Sequence, residues 1–136
     1  MNILDVMTSD VLKVSLNTTI AEAVTMMEKA DLRHLIVIND DGDLTGIVSD
    51  RDVRLAVQSP FFSDADDANA ALDTITIERI MTAKPKCVAP LDAIGDAAQI
   101  MVTSQISALP VVRDNSIIGI VTSTDLLNVL VETPVG

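Results

Sequence analysis

The chain has no tryptophan and no tyrosine, and its only aromatic residues are Phe61 and Phe62. Bases of a single-stranded nucleic acid therefore have no series of rings to stack on. Cations are scarce as well: nine Lys and Arg stand against twenty Asp and Glu, a net charge of −11, and no basic block gathers them. That balance disfavours sequence-independent binding to a phosphate backbone, so no nucleic-acid partner is expected. Cysteine is reduced to Cys87 and histidine to His34, which excludes an intrachain disulfide and any cysteine-based zinc cluster. A lone thiol and a first segment, Met1-Asn-Ile-Leu-Asp, without a basic leader fit a reducing cytoplasm. Apolar residues make up 49% of the chain, yet no stretch approaches the roughly eighteen unbroken apolar residues of a membrane span. No membrane partner is expected, and the aliphatic surplus predicts that another copy covers some helix face in a homodimer.

What the chain does have, it has twice. Met7-Thr8 returns as Met81-Thr82, Val14 as Val88, Ile20 as Ile94, Met27 as Met101 and Leu35-x-Val37 as Leu109-x-Val111, each 74 residues on. After an acidic turn, Gly46-Ile-Val and Asp52 return as Gly119-Ile-Val and Asp125, now 73 residues on, because the second turn is one residue shorter. At 136 residues the chain is one domain's worth of sequence, so two such units, each short of a complete core, should pack together with pseudo-twofold symmetry and leave two related clefts. The repeats are drawn as 1–57 and 77–136, joined by an acidic linker, 58–76, that holds Phe61-Phe62.

Within each repeat the periodicity predicts β-α-β-β-α. Thr19-Ile-Ala-Glu22 reads as a capping box followed by an apolar stripe, Ile20, Ala23, Val24 and Met27, and Asp92 is the expected cap of the matching helix. Leu35–Ile38 with Leu44–Val48, and Leu109–Val112 with Ile117–Val121, read as hairpins. Short strands around Leu12–Val14 and Cys87–Val88 precede them, and Ser49 and Thr122 open the closing helices. The fold class is α/β, with small sheets inside and helices outside.

The most pointed element is Gly-Ile-Val-Ser/Thr-x-x-Asp, present as Gly46–Asp52 and Gly119–Asp125. A glycine within a strand marks a close backbone approach, and a hydroxyl at a helix start sits where free N–H groups favour phosphate. Asp52 or Asp125 could accept from a vicinal diol such as a ribose, and Ser49 or Thr122 could hold a phosphate. The same spacing is also that of a plain capping box, and duplication cannot separate the two. A catalytic triad of Ser49, His34 and Asp52 would need an oxyanion hole that nothing here builds, so no enzyme and no catalytic residue are expected. Asp64, Asp66 and Asp67 read as a solvated acidic run, and no metal site is expected.

Taken together, the paired Met-Thr, the Ile-Ala-Glu-Ala helix opening, His34-Leu-Ile-Val-Ile-Asn-Asp, Ala108-Leu-Pro-Val-Val-Arg-Asp and the two Gly-Ile-Val-Ser/Thr-x-x-Asp stretches resemble a tandem pair of cystathionine-β-synthase (CBS) domains, a Bateman module. Leu-Arg-His-Leu with Ser-Asp-Arg-Asp is most similar to small stand-alone bacterial and archaeal pairs, including the acetoin-utilisation type. The resemblance implies a regulatory module whose clefts take an adenine nucleotide (AMP, ADP or ATP) or another adenosyl ligand. It carries ribose binding onto Asp52 and Asp125, and phosphate binding onto Ser49 and Thr122, with Arg51 and Arg54 near enough to assist. It carries the base onto Leu12, Leu32, Arg33 and His34 in one cleft and onto Lys86, Val88, Ile106 and Ala108 in the other. Output would pass to an effector protein or through the geometry of the dimer. Thr124 stands where the first repeat has Arg51, and Pro110 where it has Ile36, so the two clefts are not equivalent. The alternative is a protein-interaction module with vestigial clefts, its Ser/Thr-x-x-Asp pairs acting only as caps.

Overall fold

A computed structural model of the chain describes residues 1–58 and 72–132. Most of the expected linker, with Phe61-Phe62 and the Asp64, Asp66 and Asp67 run, lies outside the described residues. The elements in chain order are α1 (Ile3–Val6), β1 (Lys13–Ser15), α2 (Ile20–Ala30), β2 (His34–Ile38), β3 (Leu44–Ser49), α3 (Asp50–Val57), a single 3-10 turn (Ile77–Arg79), β4 (Thr82–Ala83), α4 (Ile94–Ser104), β5 (Ala108–Arg113), β6 (Ser116–Thr122) and α5 (Ser123–Glu132). The class is α/β, with small sheets.

The chain divides into two compact units whose boundaries are not those of the repeats. A first unit spans Leu12–Lys84, and a second joins Met1–Val11 to Pro85–Gly136. Each repeat therefore gives its opening segment to the unit built by the other repeat's body.

In the first unit, β1, β2, β3 and β4 form one sheet in that order, with β1 parallel to β2 and the other neighbours antiparallel. Its core is Val14, Ile20, Ala23, Met27, Leu35, Val37, Val48, Val53 and, from the head of the second repeat, Ile77. In the second unit β5 and β6 pair antiparallel, and the core is Val88, Ala97, Met101, Leu109, Val111, Val121 and, from the head of the first repeat, Ile3. Ile3 and Ile77 are both 0% exposed. Backbone bonds fix both heads in the same way: Ile3 N–H donates to the Asp92 carbonyl at 2.9 Å, and Ile77 N–H to the Thr18 carbonyl at 2.8 Å.

The strand glycines explain how the heads lie so close. Thr82 pairs with Ile47 and Ala83 with Gly46 at the sheet edge, while Thr8 and Ile120 exchange both backbone bonds, at 2.8 and 2.9 Å. A Cβ on Gly46 would run into the Met81 sulfur and lie 3.0 Å from the Thr82 carbonyl oxygen. A Cβ on Gly119 would lie 2.7 Å from the Thr8 carbonyl oxygen and 2.9 Å from the Met7 sulfur. Met-Thr and Gly-Ile-Val, the most conspicuous recurring motifs, are thus two sides of one contact.

Helix starts follow the sequence closely, with one correction. Thr19 caps α2, its hydroxyl oxygen accepting from Glu22 N–H at 3.2 Å. Asp92 does not cap α4, because its carboxylate instead accepts from Ala89 N–H at 2.9 Å and leaves Ala93 at the N-cap position without a side-chain bond. The strand expected at Cys87–Val88 shrinks to one parallel bridge between Val88 and Val111. In the first unit Ile36 N–H donates to the Leu12 carbonyl at 3.0 Å. Its counterpart is Pro110, which has no N–H to give, so the ladder cannot extend. The hairpin turns differ as their lengths require. Asn39 Oδ1 accepts from Asp41 and Asp43 N–H in the longer one, and Asp114-Asn115, both at positive φ, form the tight two-residue turn.

Truncating Ile77 to Ala should cost about 2–5 kcal/mol, as for other fully buried aliphatic residues, although Ile77 lies outside the repeat whose core it completes. Gly119→Ala should destabilise more than Gly46→Ala, within about 1–3 kcal/mol for overpacking, because a methionine sulfur can swing aside and a backbone carbonyl in a bridge cannot. Denaturant unfolding of the three variants checks both expectations.

Candidate functional site

Sheet register brings the expected site residues to one end of each unit. In the first, His34 lies opposite Ser49, the last residue of β3, and the Leu12 carbonyl meets Ile36 on the other side of β2. Leu12, His34 and Ser49 therefore share the end of the sheet from which α3 departs. Asp50 N–H, the first of that helix, donates to the Arg33 carbonyl at 2.9 Å. In the second unit Ala108 lies opposite Thr122, Val88 N–H donates to the Pro110 carbonyl at 3.0 Å, and Ser123 N–H donates to the Ser107 carbonyl at 2.9 Å. The arrangement is the same except that Pro110 cannot make the counterpart of the Ile36–Leu12 bond.

At each helix start the hydroxyl and carboxylate form a reciprocal cap. Ser49 N–H donates to Asp52 Oδ2 at 2.8 Å and Asp52 N–H to Ser49 Oγ at 3.1 Å. Thr122 N–H donates to Asp125 Oδ2 at 2.9 Å and Asp125 N–H to Thr122 Oγ1 at 3.2 Å. All four side chains are only partly buried. Each cap engages one carboxylate oxygen, and the other takes no hydrogen bond from the described residues. Capping and accepting from a ligand are therefore compatible roles for the same aspartate.

The cations sit differently in the two units. Arg54 is turned along α3, donating to Asp50 at 3.2 Å in an exposed ion pair. It lines a cavity of about 320 Å³ with Val24, Met27, Leu32, Asp50 and Val53. Arg51 is exposed and forms no ion pair among the described residues. The second unit has Thr124 in that place, and its cation is Lys86, whose Nζ donates to Ser104 Oγ at 2.8 Å. Ser104 ends α4, a helix with no basic residue in its last turn, so Lys86 supplies from outside the charge that the helix terminus favours.

The side chains expected around a base are unequal too. Leu12, Leu32, His34 and Ile106 are half-buried, Arg33 is exposed, and Ala108 and Val88 are buried, Val88 within the core of its unit. Val88 can thus offer a ligand little, since its N–H donates to the Pro110 carbonyl and its own carbonyl accepts from Val112 N–H. The neighbouring Cys87 is exposed, with its Sγ 3.4 Å from the Pro85 carbonyl oxygen. Partial burial of the sulfur pushes the thiol up from its ordinary range. One further feature was not visible in the pattern. The Lys86 carbonyl, deprived of a partner by Pro110, accepts no hydrogen bond from the described residues, whereas the matching Leu12 carbonyl is taken by Ile36. Among the described residues no group of three or more His, Cys, Asp or Glu side chains is placed to hold a metal ion, and no helix is long and apolar enough to cross a membrane.

Known proteins share this duplicated arrangement. A CBS domain-containing protein of Dictyostelium discoideum is 31% identical over 128 residues, 93% of this chain and 88% of that protein. The CBS domain-containing protein YhcV of Bacillus subtilis is 30% identical over 90% of this chain and 80% of its own length. Other relatives are much longer: the chain spans 24% of a homoserine O-acetyltransferase of Methanohalobium evestigatum, at 30% identity. Among solved structures, the CBS domain pair of protein MJ0100 in complex with 5′-methylthioadenosine and S-adenosyl-L-methionine has a TM-score of 0.79 at 27% identity, covering 96% of this chain and 95% of that one. The family model of the CBS domain matches twice, at residues 3–59 and 77–132. With both repeats matched and a 31% identical relative aligned over 88% of its length, the chain belongs to the CBS domain family, as a tandem CBS pair.

Proposed function

We propose that this CBS pair is a regulatory binding module rather than an enzyme, and that it takes an adenosine-containing ligand at the sheet end where Ser49–Asp52 or Thr122–Asp125 opens a helix. The observation that carries the proposal is the convergence, twice over, of a strand start (His34 or Ala108), a hydroxyl and a half-engaged carboxylate at one sheet end. The methylthioadenosine and S-adenosyl-L-methionine bound by the MJ0100 pair support an adenosyl ligand. The remaining oxygen of Asp52 or Asp125 would accept from a ribose hydroxyl, leaving the cap intact. Ser49 or Thr122 and the first-turn amides would face a phosphate or its replacement. Arg51 offers a counter-charge in the first unit, and Lys86 would have to leave Ser104 to do so in the second.

Base recognition favours the second unit. Adenine carries an exocyclic amino donor, and the Lys86 carbonyl, which takes no hydrogen bond from the described residues, is an acceptor; the first unit has spent the same carbonyl on Ile36. A net charge of −11 repels polyanions, so a ligand of low charge is favoured over ATP. Sensing also requires that the ligand bind one state of the module better than another. The output then passes to an effector protein or through the geometry of the assembly.

Purified protein titrated with methylthioadenosine, S-adenosylmethionine, AMP, ADP and ATP should show a thermal shift with at least one of them. At a hundred times its dissociation constant a native-state ligand adds about 2.7 kcal/mol. Asp125→Asn, which keeps a cap acceptor and removes the charge, should abolish the shift with little loss of ligand-free stability. Asp125→Ala should in addition cost about 0.5–2 kcal/mol as a lost cap. If the folded, nucleotide-free protein answers no adenosyl ligand, and the aspartates affect stability alone, the pairs are caps and the module works by protein contact.

Cys87 gives a readout of the second unit. Its alkylation rate should rise with pH through a midpoint above the ~8.5 of a free thiol, since burial disfavours the reactive thiolate. A ligand lying against Lys86 and Val88 should slow that alkylation, measured by mass spectrometry, and a ligand confined to the first unit should leave it unchanged.

A further inference from the structure

The second unit has a concavity at the end of its hairpin where β5 turns into β6, opposite the end where Ala108 meets Thr122. Leu4 on α1, Pro90, Leu91, Val112, Arg113 and Asp114 line a cavity of about 360 Å³ there. Backbone and side-chain bonds hold its wall: Leu4 N–H donates to the Pro90 carbonyl at 2.9 Å, and the Asp92 carboxylate accepts from Ala89 N–H at 2.9 Å. Four of the six lining residues are apolar, with Pro90 buried, Val112 half-buried, and Leu4 and Leu91 48% and 76% exposed. The other two carry opposite charges side by side. Arg113 ends β5 and Asp114 opens the turn at a φ of 51°, and neither forms an ion pair or a side-chain hydrogen bond among the described residues. The first unit does not repeat this set. Its matching positions put Glu78 and Asn17 in place of the two leucines and Asn39 in place of the arginine, and the Asn39 side chain is spent on Asp41 and Asp43 N–H.

We propose that this cavity binds a free aliphatic α-amino acid of the leucine, isoleucine or methionine kind. Its side chain lies against Leu4, Leu91 and Val112, its carboxylate on the Arg113 guanidinium and its ammonium on the Asp114 carboxylate. Size points to a small occupant, since 360 Å³ is at the lower end of the ~300–1,000 Å³ of ligand cavities. Charge narrows it further. A guanidinium presents two parallel N–H groups to a carboxylate, and an acid alone would use Arg113 but leave Asp114 unanswered and meet the repulsion of a chain at −11. A zwitterion brings no net charge and satisfies both groups at once. The apolar walls supply the remaining affinity by taking an aliphatic side chain out of water and covering the two exposed leucines. The site shares no residue with the Thr122–Asp125 end of the unit, so the inference stands apart from the adenosyl reading.

Isothermal titration of the whole chain with L-leucine, L-isoleucine and L-methionine tests the proposal. At least one should bind saturably, and L-serine, with no aliphatic group to bury, should not. Leucinamide and 4-methylpentanoate each lack one of leucine's two charges and should bind roughly ten-fold more weakly or worse. Arg113→Gln and Asp114→Asn change exposed side chains, and asparagine tolerates the left-handed backbone at position 114. Each should weaken leucine by a similar factor. Leu4→Glu installs the residue that the first unit carries at the matching place and should abolish binding with an unchanged circular dichroism spectrum. Asp125→Asn should leave leucine binding as it was. In ¹⁵N-labelled protein, leucine should shift the amide resonances of Leu4, Leu91 and Arg113 and not that of Asp125, which decides the matter should Leu4→Glu fold poorly. Folded protein that binds none of the three amino acids would overturn the proposal. So would 4-methylpentanoate binding as tightly as leucine, undiminished binding by Arg113→Gln, or amide shifts confined to the Thr122–Asp125 end.

Discussion

Each of the two cores is closed by an isoleucine from the opening of the other repeat. Ile3 sits among Val88, Met101, Leu109 and Val121, and Ile77 among Val14, Met27, Leu35 and Val48. Seating them requires the chain that follows to run tightly along a sheet edge, and that is possible only where the edge strand has no side chain, at Gly119 and Gly46. Neither repeat completes its core from its own residues, so each unit needs the opening segment of the other repeat. A duplicated sequence normally invites each copy to fold by itself. Exchange of the heads makes the two repeats depend on each other for a complete core.

The same contact reaches the candidate site. Gly46 stands three residues before Ser49, and Gly119 three before Thr122, so the head laid against the glycine also anchors the strand that delivers the capping hydroxyl. On the opposite side of β2, the parallel ladder from β1 sets which backbone groups remain unpaired. Substituting Pro110 for an isoleucine removes one N–H, shortens that ladder to a single bridge and leaves the Lys86 carbonyl without its partner. One residue that cannot donate thereby makes two otherwise parallel sites chemically distinct.

Much of this could be read in the sequence, because so much of it is local. The helix starts at Thr19, Ser49 and Thr122 depend on a hydroxyl and the amide three residues on. The hairpins follow from aliphatic runs around turn residues, and the one-residue difference between turns is the difference between an Asn39-nucleated loop and a tight Asp114-Asn115 pair. Asp92 misled, since an aspartate before a helix can bond backward as well as forward, and here it takes Ala89 N–H. The head exchange was not legible at all. Ile3 and Ile77 belong to no periodic pattern, and their partners lie elsewhere in the chain, so only topology joins Met-Thr to Gly-Ile-Val. Arg54, one helical step beyond Arg51, donates to Asp50 along α3, a contact that spacing does not announce.

Duplication fixes a backbone twice and thereby separates what the fold needs from what it does not. Positions that stay the same in both units, such as Ile3 with Ile77, Gly46 with Gly119, and Asp52 with Asp125, are those where core filling, close approach or the cap leaves little freedom. Apart from Ile36 against Pro110, the divergent positions named here lie on the helices, outside the cores: Arg51 against Thr124, Glu28 against Val102, Arg54 against Leu127. Divergence there is not free, because exposed aliphatic residues lower solubility unless something covers them. An apolar face on one unit and a charged face at the same place on the other therefore give a common frame two different surfaces. The same asymmetry runs through the ligand ends, where one unit offers a free arginine and the other a free carbonyl.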